Sequence, residues 1–453
     1  MQQERGLFEA IQDHPDDDLP RLAWADWLED QGRQHQADFV RSQVEWARLG
    51  SDHPRRDLLE DQADDLLSEH GAEWAGRLGE IALEYRWDRG CIEHLTLWSD
   101  TLLTHGDELF QNMPIRALRV LSDGDDFARL ADQPWLTRVE RLDLSLTREE
   151  SAYSGVYFRD AALLPLFKSL LLDRLTELEL GGQGLEGPAI AALVESGLFS
   201  RLSRLDLGEN RALGDRAVRR LAETAAPHLH FLSLLGTNLT GHGLRTLLES
   251  RRHAGLRSLR VNLGLMFRRE AGKDQLEREL SGLPLLESVD CLRIQQIALD
   301  PAGLAWLLRS PIGQNLARLE LPSFHLFEQT SEVLAETALP HLRSLDLQGN
   351  NLRDRGVRPL IRASWLSHLE ELNLANNAVG GPGLRALLGP EGATGLLRLN
   401  LDNNHVGGNG AEILARSETP RRLTWLHLGN DNLNPEAARM LVASPALSRL
   451  RCL

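Results

Sequence analysis

The hydrophobic positions of this chain follow one recurring pattern, Leu-x-x-Leu-x-Leu. Copies begin 27 residues apart at Leu175, Leu202, Leu229 and Leu256, and again at Leu342, Leu369, Leu396 and Leu423. Weaker copies begin at Ile92, Ile115, Val139, Leu286 and Leu316, with a truncated copy at Leu447. A fixed period of this kind predicts stacked structural repeats, here roughly 14 of them.

Each repeat is predicted to contain a strand, a turn and a helix. The alternation of leucines places alternate side chains on one face of a short strand. The asparagine- and glycine-rich segment 375–381 can hydrogen-bond the backbone where the chain leaves the strand. The stretch 382–388 then begins with a proline, which suits the first turn of a helix. One repeat cannot bury its leucines alone, so we expect a curved solenoid with its strands on the inner wall.

These repeats resemble the leucine-rich repeat family, in its longer ribonuclease-inhibitor-like subclass. The segment 345–352, Leu-Asp-Leu-Gln-Gly-Asn-Asn-Leu, follows the family's core motif, and the resemblance covers about residues 91–453. It implies an α/β horseshoe with parallel strands on the concave face and helices on the convex face. It also implies protein–protein recognition, with the partner often on the concave face.

The first 90 residues have a helical period instead. Apolar residues predict four helices, the second capped by Asp18, with Pro20 in its first turn and Gly32 just past its end. We therefore expect a small all-α domain over residues 1–90 that covers the apolar end of a solenoid over residues 91–453.

The segments 15–32 and 37–43 resemble the bacterial repeat-companion domain, a resemblance that implies a setting and no chemistry. One hypothesis is a ligand site formed by its charged residues, Asp16, Asp17, Asp18, Arg21, Asp26 and Asp30. The alternative is that these residues cap helices, face solvent and form ion pairs with Arg21 and Arg41.

Charge and composition exclude several classes of partner. The net charge is −16, and residues 1–90 contribute −12 of it from 22 acidic residues and 10 arginines. Binding to phosphate backbones needs a concentrated cationic surface, so we expect no nucleic-acid partner. No apolar run is long enough to span a bilayer, the start resembles no secretory signal, and the three cysteines form no zinc or disulfide pattern. We therefore expect a cytoplasmic protein without a membrane partner.

Motifs of catalysis are missing from the sequence. Neither Lys168 nor Lys273 stands in a phosphate-binding loop, and no metalloprotease or nucleophile-elbow motif occurs. The segment 182–187 reads Gly-Gln-Gly-Leu-Glu-Gly, with Asp206 downstream as a dinucleotide site would require. It stands in register with the turns of other repeats, however, and the repeat accounts for its glycines. We expect no enzyme, no cofactor and no metal.

The residue between the last two leucines of each strand is predicted to point to the concave wall. Along the chain this row contains Thr96, Arg119, Asp143, Glu179, Asp206, Ser233, Arg260, Asp290, Glu320, Asp346, Asn373, Asn400 and His427. Six of the thirteen are acidic and two are arginines, so the wall should be mildly negative and attract a basic partner. The alternative is that aspartate only fills this position. Candidate contacts are Asp143, Glu179, Asp206, Arg260, Asp290, Glu320, Asp346 and His427.

Two unusual loops are candidates for specificity. The loop 148–159 contains Tyr153, Tyr157 and Phe158, and the loop 262–270 contains Met266, Phe267 and Arg268. Aromatic residues and arginine are frequent interface anchors. The competing interpretation is that these side chains pack against the neighbouring repeat.

The sequence thus predicts a non-catalytic intracellular scaffold that binds a protein on its concave face and flanking loops. An alternative is a regulatory or sensor subunit of an enzyme complex, for example in defence against foreign elements, that docks through the N-terminal helices. The oligomeric state stays open. The repeat begun at Leu447 could be held by the preceding helix or pair with another molecule through an exposed edge.

Overall fold

A computed structural model describes residues 2–50, 53, 55–122, 126–146, 160–261, 270–271, 273–283, 289–294, 298–324, 328–389, 392–417 and 422–450. The chain divides into two compact units, Met1–Asn210 and Arg211–Leu453, and each unit is described by itself. Among the described residues, no helix combines the length and the apolar run that a membrane span requires.

The first unit joins the predicted N-terminal helices to the first repeats. Its helices are α1 (Gln2–Asp13), α2 (Leu19–Asp30), α3 (Gln34–Arg48), α4 (Arg55–Ala75), α5 (Leu78–Ile81), α6 (Ser99–Asn112), α7 (Phe127–Leu130), α8 (Asp160–Lys168) and α9 (Gly187–Glu195). Its strands are β1 (Glu84–Asp88), β2 (Cys91–Trp98), β3 (Ala117–Leu121), β4 (Arg141–Asp143), β5 (Glu177–Glu179) and β6 (Arg204–Asp206). Strands β1 and β2 pair antiparallel, and β2 to β6 pair parallel in chain order.

The start of α2 differs from the prediction in one detail. Pro20 lies in the first turn as expected, but the Asp18 carboxylate makes no capping hydrogen bond. It forms ion pairs instead, with Arg48 at 2.7 Å and with Arg89 at 3.4 Å. The Asp17 carboxylate takes the capping role, because it accepts a hydrogen bond from the Leu19 amide at 2.9 Å.

The N-terminal helices cover the edge of the first repeat. Ile11, Trp24, Leu28 and Val40 belong to one buried cluster that also contains Cys91, the first residue of β2. Burying this apolar surface removes it from water, which is the main stabilisation available to a terminal repeat.

A buried ion pair fixes the same joint. Arg21 of α2 and Glu93 of β2 are both fully buried and pair with each other. The second oxygen of Glu93 accepts from Arg116 Nε at 2.7 Å. Burial raises the pKa of Glu93, while Arg21 and Arg116 oppose that shift. The expectation that Arg21 pairs with the acids of its own segment is therefore wrong, because its side chain turns inward to satisfy a buried carboxylate.

Replacing Glu93 with alanine should destabilise the first unit strongly. Arg21 would keep its buried charge without a counterion, and breaking one side of a buried pair costs about 3–5 kcal/mol. Urea denaturation measures this loss in the free energy of unfolding. The control is Glu9→Ala, which removes the partner of the exposed Arg5 and should cost less than about 1 kcal/mol. Equal losses in the two variants would contradict the assignment.

The second unit contains the remaining repeats. Its helices are α10 (Asp215–Glu223), α11 (Gly241–Leu248), α12 (Lys273–Leu280), α13 (Pro301–Arg309), α14 (Pro311–Asn315), α15 (Glu328–Glu336), α16 (Arg353–Val357), α17 (Gly381–Leu387), α18 (Gly407–Arg416) and α19 (Pro435–Val442). Its strands are β7 (Phe231–Ser233), β8 (Ser258–Arg260), β9 (Glu270–Ala271), β10 (Cys291–Arg293), β11 (Ala298–Leu299), β12 (Arg318–Glu320), β13 (Ser344–Asp346), β14 (Glu371–Asn373), β15 (Arg398–Asn400) and β16 (Trp425–His427).

The strands of the second unit confirm the predicted parallel, repeat-built α/β fold. The order in its sheet is β7-β8-β10-β12-β13-β14-β15-β16, and β9 pairs separately with β11. Leu345, Leu372 and Leu399 stand opposite one another on successive strands. The predicted proline is found in the first turn of α17.

One repeat has a different register from the one predicted. Strand β10 places Leu292 opposite Leu259 of β8 and Leu319 of β12. The buried apolar triplet is therefore Val289, Leu292 and Ile294, and the frame predicted from Leu286 is displaced by three residues.

The new register moves Asp290 and Cys291. Asp290 precedes the strand, where its amide donates to the Arg257 carbonyl and its carbonyl accepts from the Ala317 amide at 2.8 Å. Cys291 is buried, but it is the first residue of β10 rather than its third apolar position. The residue that follows the central leucine is Arg293.

An asparagine ladder joins successive turns of the second unit. Asn377 is fully buried, and its Nδ2 donates to the carbonyls of Leu347 at 2.8 Å and Leu374 at 3.0 Å. Its Oδ1 accepts from the Asn350 amide at 3.0 Å. Asn350 and Asn404 make equivalent bonds one repeat earlier and one repeat later. The ladder satisfies backbone groups that would otherwise be buried without partners.

The next position of the ladder is an aspartate. Asp431 is buried, and its Oδ1 accepts from the Asn404 amide at 2.8 Å. Its Oδ2 is buried and has no hydrogen-bond partner among the described residues, because an ionised carboxylate cannot donate to carbonyls as the asparagines do. Burial raises the pKa of Asp431 to about 6, with Asp402 adding to the shift and His405 opposing it.

Stability of the second unit should therefore depend on the protonation of Asp431. Its pKa in the folded state, about 6, is above the ordinary value of 3.8. The stabilisation is thus complete below the ordinary value and is lost as the pH rises through the folded one. Melting temperatures of the native chain and of Asp431→Asn at mildly acid and mildly alkaline pH should show a smaller pH difference in the variant. The control Glu436→Gln changes an exposed acid of the same repeat, and an Asp431→Asn profile identical to it would refute the assignment.

The last helical element that the structure describes is a 3₁₀ turn, Pro445–Leu447, which buries Leu447. Equivalent turns, such as Phe199–Arg201, precede strands elsewhere. Residues 451–453 of the predicted last strand lie outside the described residues, so its pairing stays a prediction.

Candidate interaction surface

The repeat strands of both units bury their central residue and turn the residues on either side of it to the opposite face. In β13, Leu345 is buried whereas Ser344 and Asp346 are partly exposed. We name the surface formed by these flanking residues the strand face of each unit. It contains most of the residues predicted for the concave wall and a second row that was not predicted.

The second row changes the charge of the surface. In the first unit the strand face contains His94, Thr96, Ala117, Arg119, Arg141, Asp143, Glu177, Glu179, Arg204 and Asp206. In the second unit it contains Phe231, Ser233, Ser258, Arg260, Cys291, Arg293, Arg318, Glu320, Ser344, Asp346, Glu371, Asn373, Arg398, Asn400, Trp425 and His427. Four acids face three arginines in the first unit, and three acids face four arginines in the second. The excess of acid is therefore a single residue in the first unit, and the second unit has one arginine more than it has acids.

Most candidate contacts lie on these faces. Asp143, Glu179 and Asp206 lie on the first, and Arg260, Glu320, Asp346 and His427 lie on the second. Asp290 does not lie on the second face, because Arg293 is the residue that follows the central leucine of β10. The candidates Tyr153, Tyr157, Phe158, Met266, Phe267 and Arg268 lie outside the described residues. A binding role for any of these residues stays a prediction.

On the first unit, the arginines of β3, β4 and β6 each lie close to an acid. Arg141 of β4 lies 2.7 Å from Glu179 of β5, and Arg204 of β6 lies 3.3 Å from the same carboxylate. Arg119 lies 3.6 Å from Asp143. Burial raises the pKa of Asp143, and the hydrogen bonds that its carboxylate accepts from Ser145 oppose that shift. An open depression of about 410 Å³ lies nearby, lined in part by residues of β1.

On the second unit, Glu371 lies between two arginines. Its carboxylate lies 3.2 Å from Arg318 and 3.5 Å from Arg398, and it accepts from Ser344 Oγ at 2.9 Å. These residues line an open depression of about 310 Å³ that also contains Asp346. Burial raises the pKa of Asp346, and the hydrogen bond from the Gln348 amide opposes that shift.

The last described strand adds an aromatic pair to this surface. His427 stacks on Trp425 with ring centroids 3.7 Å apart, and its Nδ1 lies 3.3 Å from Asp402. No group of three His, Cys, Asp or Glu side chains is placed to hold a metal ion within the part of the chain that the structure describes. Trp425 and His427 together present an aromatic contact surface beside the Asp402 carboxylate.

The glycine-rich segment 182–187 is a repeat turn. Gly182 and Gly184 adopt φ of 70° and 68°, and a Cβ on Gly182 would lie 2.4 Å from the Leu146 carbonyl oxygen. Gln183 is fully buried and donates to the Leu144 carbonyl, in the manner of a ladder asparagine. Turn geometry and close backbone approach thus account for Gly182 and Gly184.

Comparison with known proteins agrees with this geometry. A family profile described as "Leucine Rich repeat" matches residues 338–360 and 366–388. A chain in the crystal structure of the yeast Rad7 and Elc1 complex has a TM-score of 0.51 at 16% identity, covering 96% of this chain and 97% of that chain. The chain has the fold of leucine-rich repeat proteins.

Two further comparisons add nothing to this leucine-rich repeat assignment. An internalin (inlF) from Listeria monocytogenes strain 4b F2365 has a TM-score of 0.33 at 18% identity, covering 70% of this chain and 81% of that chain. That overlap is too low to carry an argument. A search of curated proteins finds no match to the sequence.

The second row of the strand face can be predicted from the sequence of the repeat strands. Residues two apart on a strand share a face, so the residue before the central leucine belongs beside the residue after it. This rule identifies Arg318, Glu371 and Arg398 from the sequence once the frame of each repeat is known.

Proposed function

We propose that this leucine-rich repeat protein is a non-catalytic intracellular scaffold that binds a protein partner on its strand face and flanking loops. The observation that carries the proposal is the strand face itself. Consecutive strands about 4.8 Å apart present side by side two rows of mostly polar side chains. The depressions on it are open rather than enclosed, which suits a protein surface better than a buried small ligand.

The comparisons support the same proposal at the level of the fold. The Rad7–Elc1 structure, whose chain shares this architecture, is a complex of two proteins. The ribonuclease-inhibitor-like character of the repeats is part of the proposal, since that subclass uses its concave surface for recognition. The described cysteines, Cys91 and Cys291, are free and buried, as suits a reducing compartment such as the cytoplasm.

The mixture of arginines and acids on the strand faces predicts a partner surface that carries both charges, rather than a purely basic one. Both strand faces contain arginines and acids, so a complementary partner must present both charges in a matching order. Such a pattern favours specificity, because a wrong register places like charges together.

Two acids near the start of the second N-terminal helix form ion pairs within the first unit. Asp18 lies close to Arg48 and Arg89, and Asp16 lies 3.4 Å from Arg116 near the repeats. We infer that these acids serve the joint between the N-terminal helices and the repeats. The proposed repeat-companion segment then acts as a terminal cap, and docking of an enzyme through it has no observation in its favour.

Removing large contact residues from the strand face should remove the partner. Arg398 and Trp425 lie on the second unit's face, and residues of these types dominate interface energetics. We expect the double variant Arg398→Ala/Trp425→Ala to lose recovery of one specific protein by about tenfold or more. The measurement is affinity purification of the tagged chain from its host with quantitative mass spectrometry.

The control replaces one arginine and one apolar residue on helices. Arg385 of α17 and Val442 of α19 are both exposed, and Arg385→Ala/Val442→Ala should retain the partner. Unchanged melting temperatures show that both variants are folded. Retention of every bound protein by the strand-face variant, or no bound protein for the native chain, would refute the proposal.

A further inference from the structure

The strand face of the second unit has arginines side by side on two neighbouring strands. They are Arg260 of β8 and Arg293 of β10, which stand opposite each other in the sheet. Neighbouring strands are about 4.8 Å apart, and like charges side by side on a sheet are unfavourable. Such an arrangement needs a compensating anion.

A single buried carboxylate supplies part of this compensation. Glu320 of β12 lies 3.9 Å from Arg260 and 3.6 Å from Arg293 through its two oxygens. Both distances exceed the 2.7–2.9 Å or so of a charge-assisted hydrogen bond. We name these three residues the arginine cluster, and its formal charge is one positive unit.

The donors of the arginine cluster are unsatisfied. The Nε atoms of Arg260 and Arg293 are buried and have no hydrogen-bond partner among the described residues. The side chain of Glu320 is 10% exposed, whereas each arginine exposes 29% of its side chain. The carboxylate is therefore buried more deeply than the two arginine side chains, which keep part of their surface exposed.

The two arginines are held ready for a ligand. Glu320 forms long ion pairs with both guanidinium groups, and Arg260 also lies over the ring of Phe231, 5.1 Å from its centroid. A cation over an aromatic ring is attracted to it. Guanidinium groups held in this way lose little conformational entropy when an anion binds.

We propose that the arginine cluster binds an acidic side chain of the protein partner. A carboxylate fits the planar donors of a guanidinium group in a bidentate manner. It would also neutralise the charge that Glu320 leaves uncompensated. This inference rests on the proposed scaffold function and names the chemistry that the partner presents at this point.

A nucleic acid fits the same surface less well. Binding along a phosphate backbone requires several cations in a row. Here Glu320, Asp346 and Glu371 occupy three neighbouring strands of the same face and would repel consecutive phosphates. One isolated carboxylate meets the excess positive charge without that penalty.

The test uses labelled probes and the full chain. The probes are a short fluorescent peptide of alternating glutamate and serine, the same peptide with glutamine for glutamate, and a short labelled DNA duplex. Fluorescence anisotropy at low salt gives their dissociation constants for the native chain. We expect the glutamate peptide to bind, and the glutamine peptide and the duplex to bind more weakly by about tenfold or more.

Two matched variants locate the binding. Arg260→Gln/Arg293→Gln should weaken the glutamate peptide by about tenfold or more. Arg216→Gln/Arg385→Gln removes the same charge from exposed helix positions and should change binding by less than about twofold. Equal weakening by both pairs would show only a general effect of charge and would overturn the proposal, as would tighter binding of the duplex.

A third variant tests the competition between carboxylates. Glu320→Gln keeps the shape of the side chain and removes its charge, so the glutamate peptide should bind more tightly. Weaker binding by this variant would contradict the proposal. This gain of affinity cannot arise from misfolding.

Failure of this inference is distinguishable from failure of the scaffold function. In the first case the native chain does not bind the glutamate peptide, while Arg398→Ala/Trp425→Ala still loses its protein partner. The arginine cluster is then not the recognition site, and the scaffold function stands. If the peptide binds at the arginine cluster and no variant of the strand face loses a protein, the scaffold function falls and the anion site stands alone.

Discussion

The constraint on which the structure depends is the burial of one leucine at the centre of each repeat strand, opposite the leucine of the next strand. Leu345, Leu372 and Leu399 show this arrangement, and truncation of such a residue typically costs about 2–5 kcal/mol. Once the central residue is buried, its two neighbours in sequence must face the other way. The composition of the strand face therefore follows from the position of the hydrophobic core.

The same constraint explains which features could be predicted from sequence. The period, the parallel strands, the turn asparagines and the N-terminal helices all follow from local spacing. The register of β10 does not, because the triplets beginning at Leu286 and at Val289 both satisfy the apolar pattern. Pairing of Leu292 with its neighbours on two other strands decides between them. This choice exchanges Asp290 for Arg293 and changes the chemistry of the surface.

Long-range charge pairs were equally inaccessible from the sequence. Arg21 is separated from Glu93 by 72 residues, and its neighbours in sequence are acids that offered nearer partners. A buried carboxylate competes for an arginine more strongly than an exposed one, because desolvation leaves it without water as an alternative. The same reasoning applies to Glu320, whose burial organises two arginines that are distant in sequence. Buried acids thus fix both the joint of the first unit and the candidate site of the second.

The most direct test of this account is a double-mutant cycle on Arg293 and Glu320, with Asp290 and Glu320 as the parallel cycle. Unfolding free energies of the single and double alanine variants give the coupling in each pair. The structure predicts attractive coupling of about 0.5 kcal/mol or more between Arg293 and Glu320, and additivity for Asp290 and Glu320. Repulsive coupling between Asp290 and Glu320, with none between Arg293 and Glu320, would place Asp290 on the strand face and contradict the register from which the surface is derived.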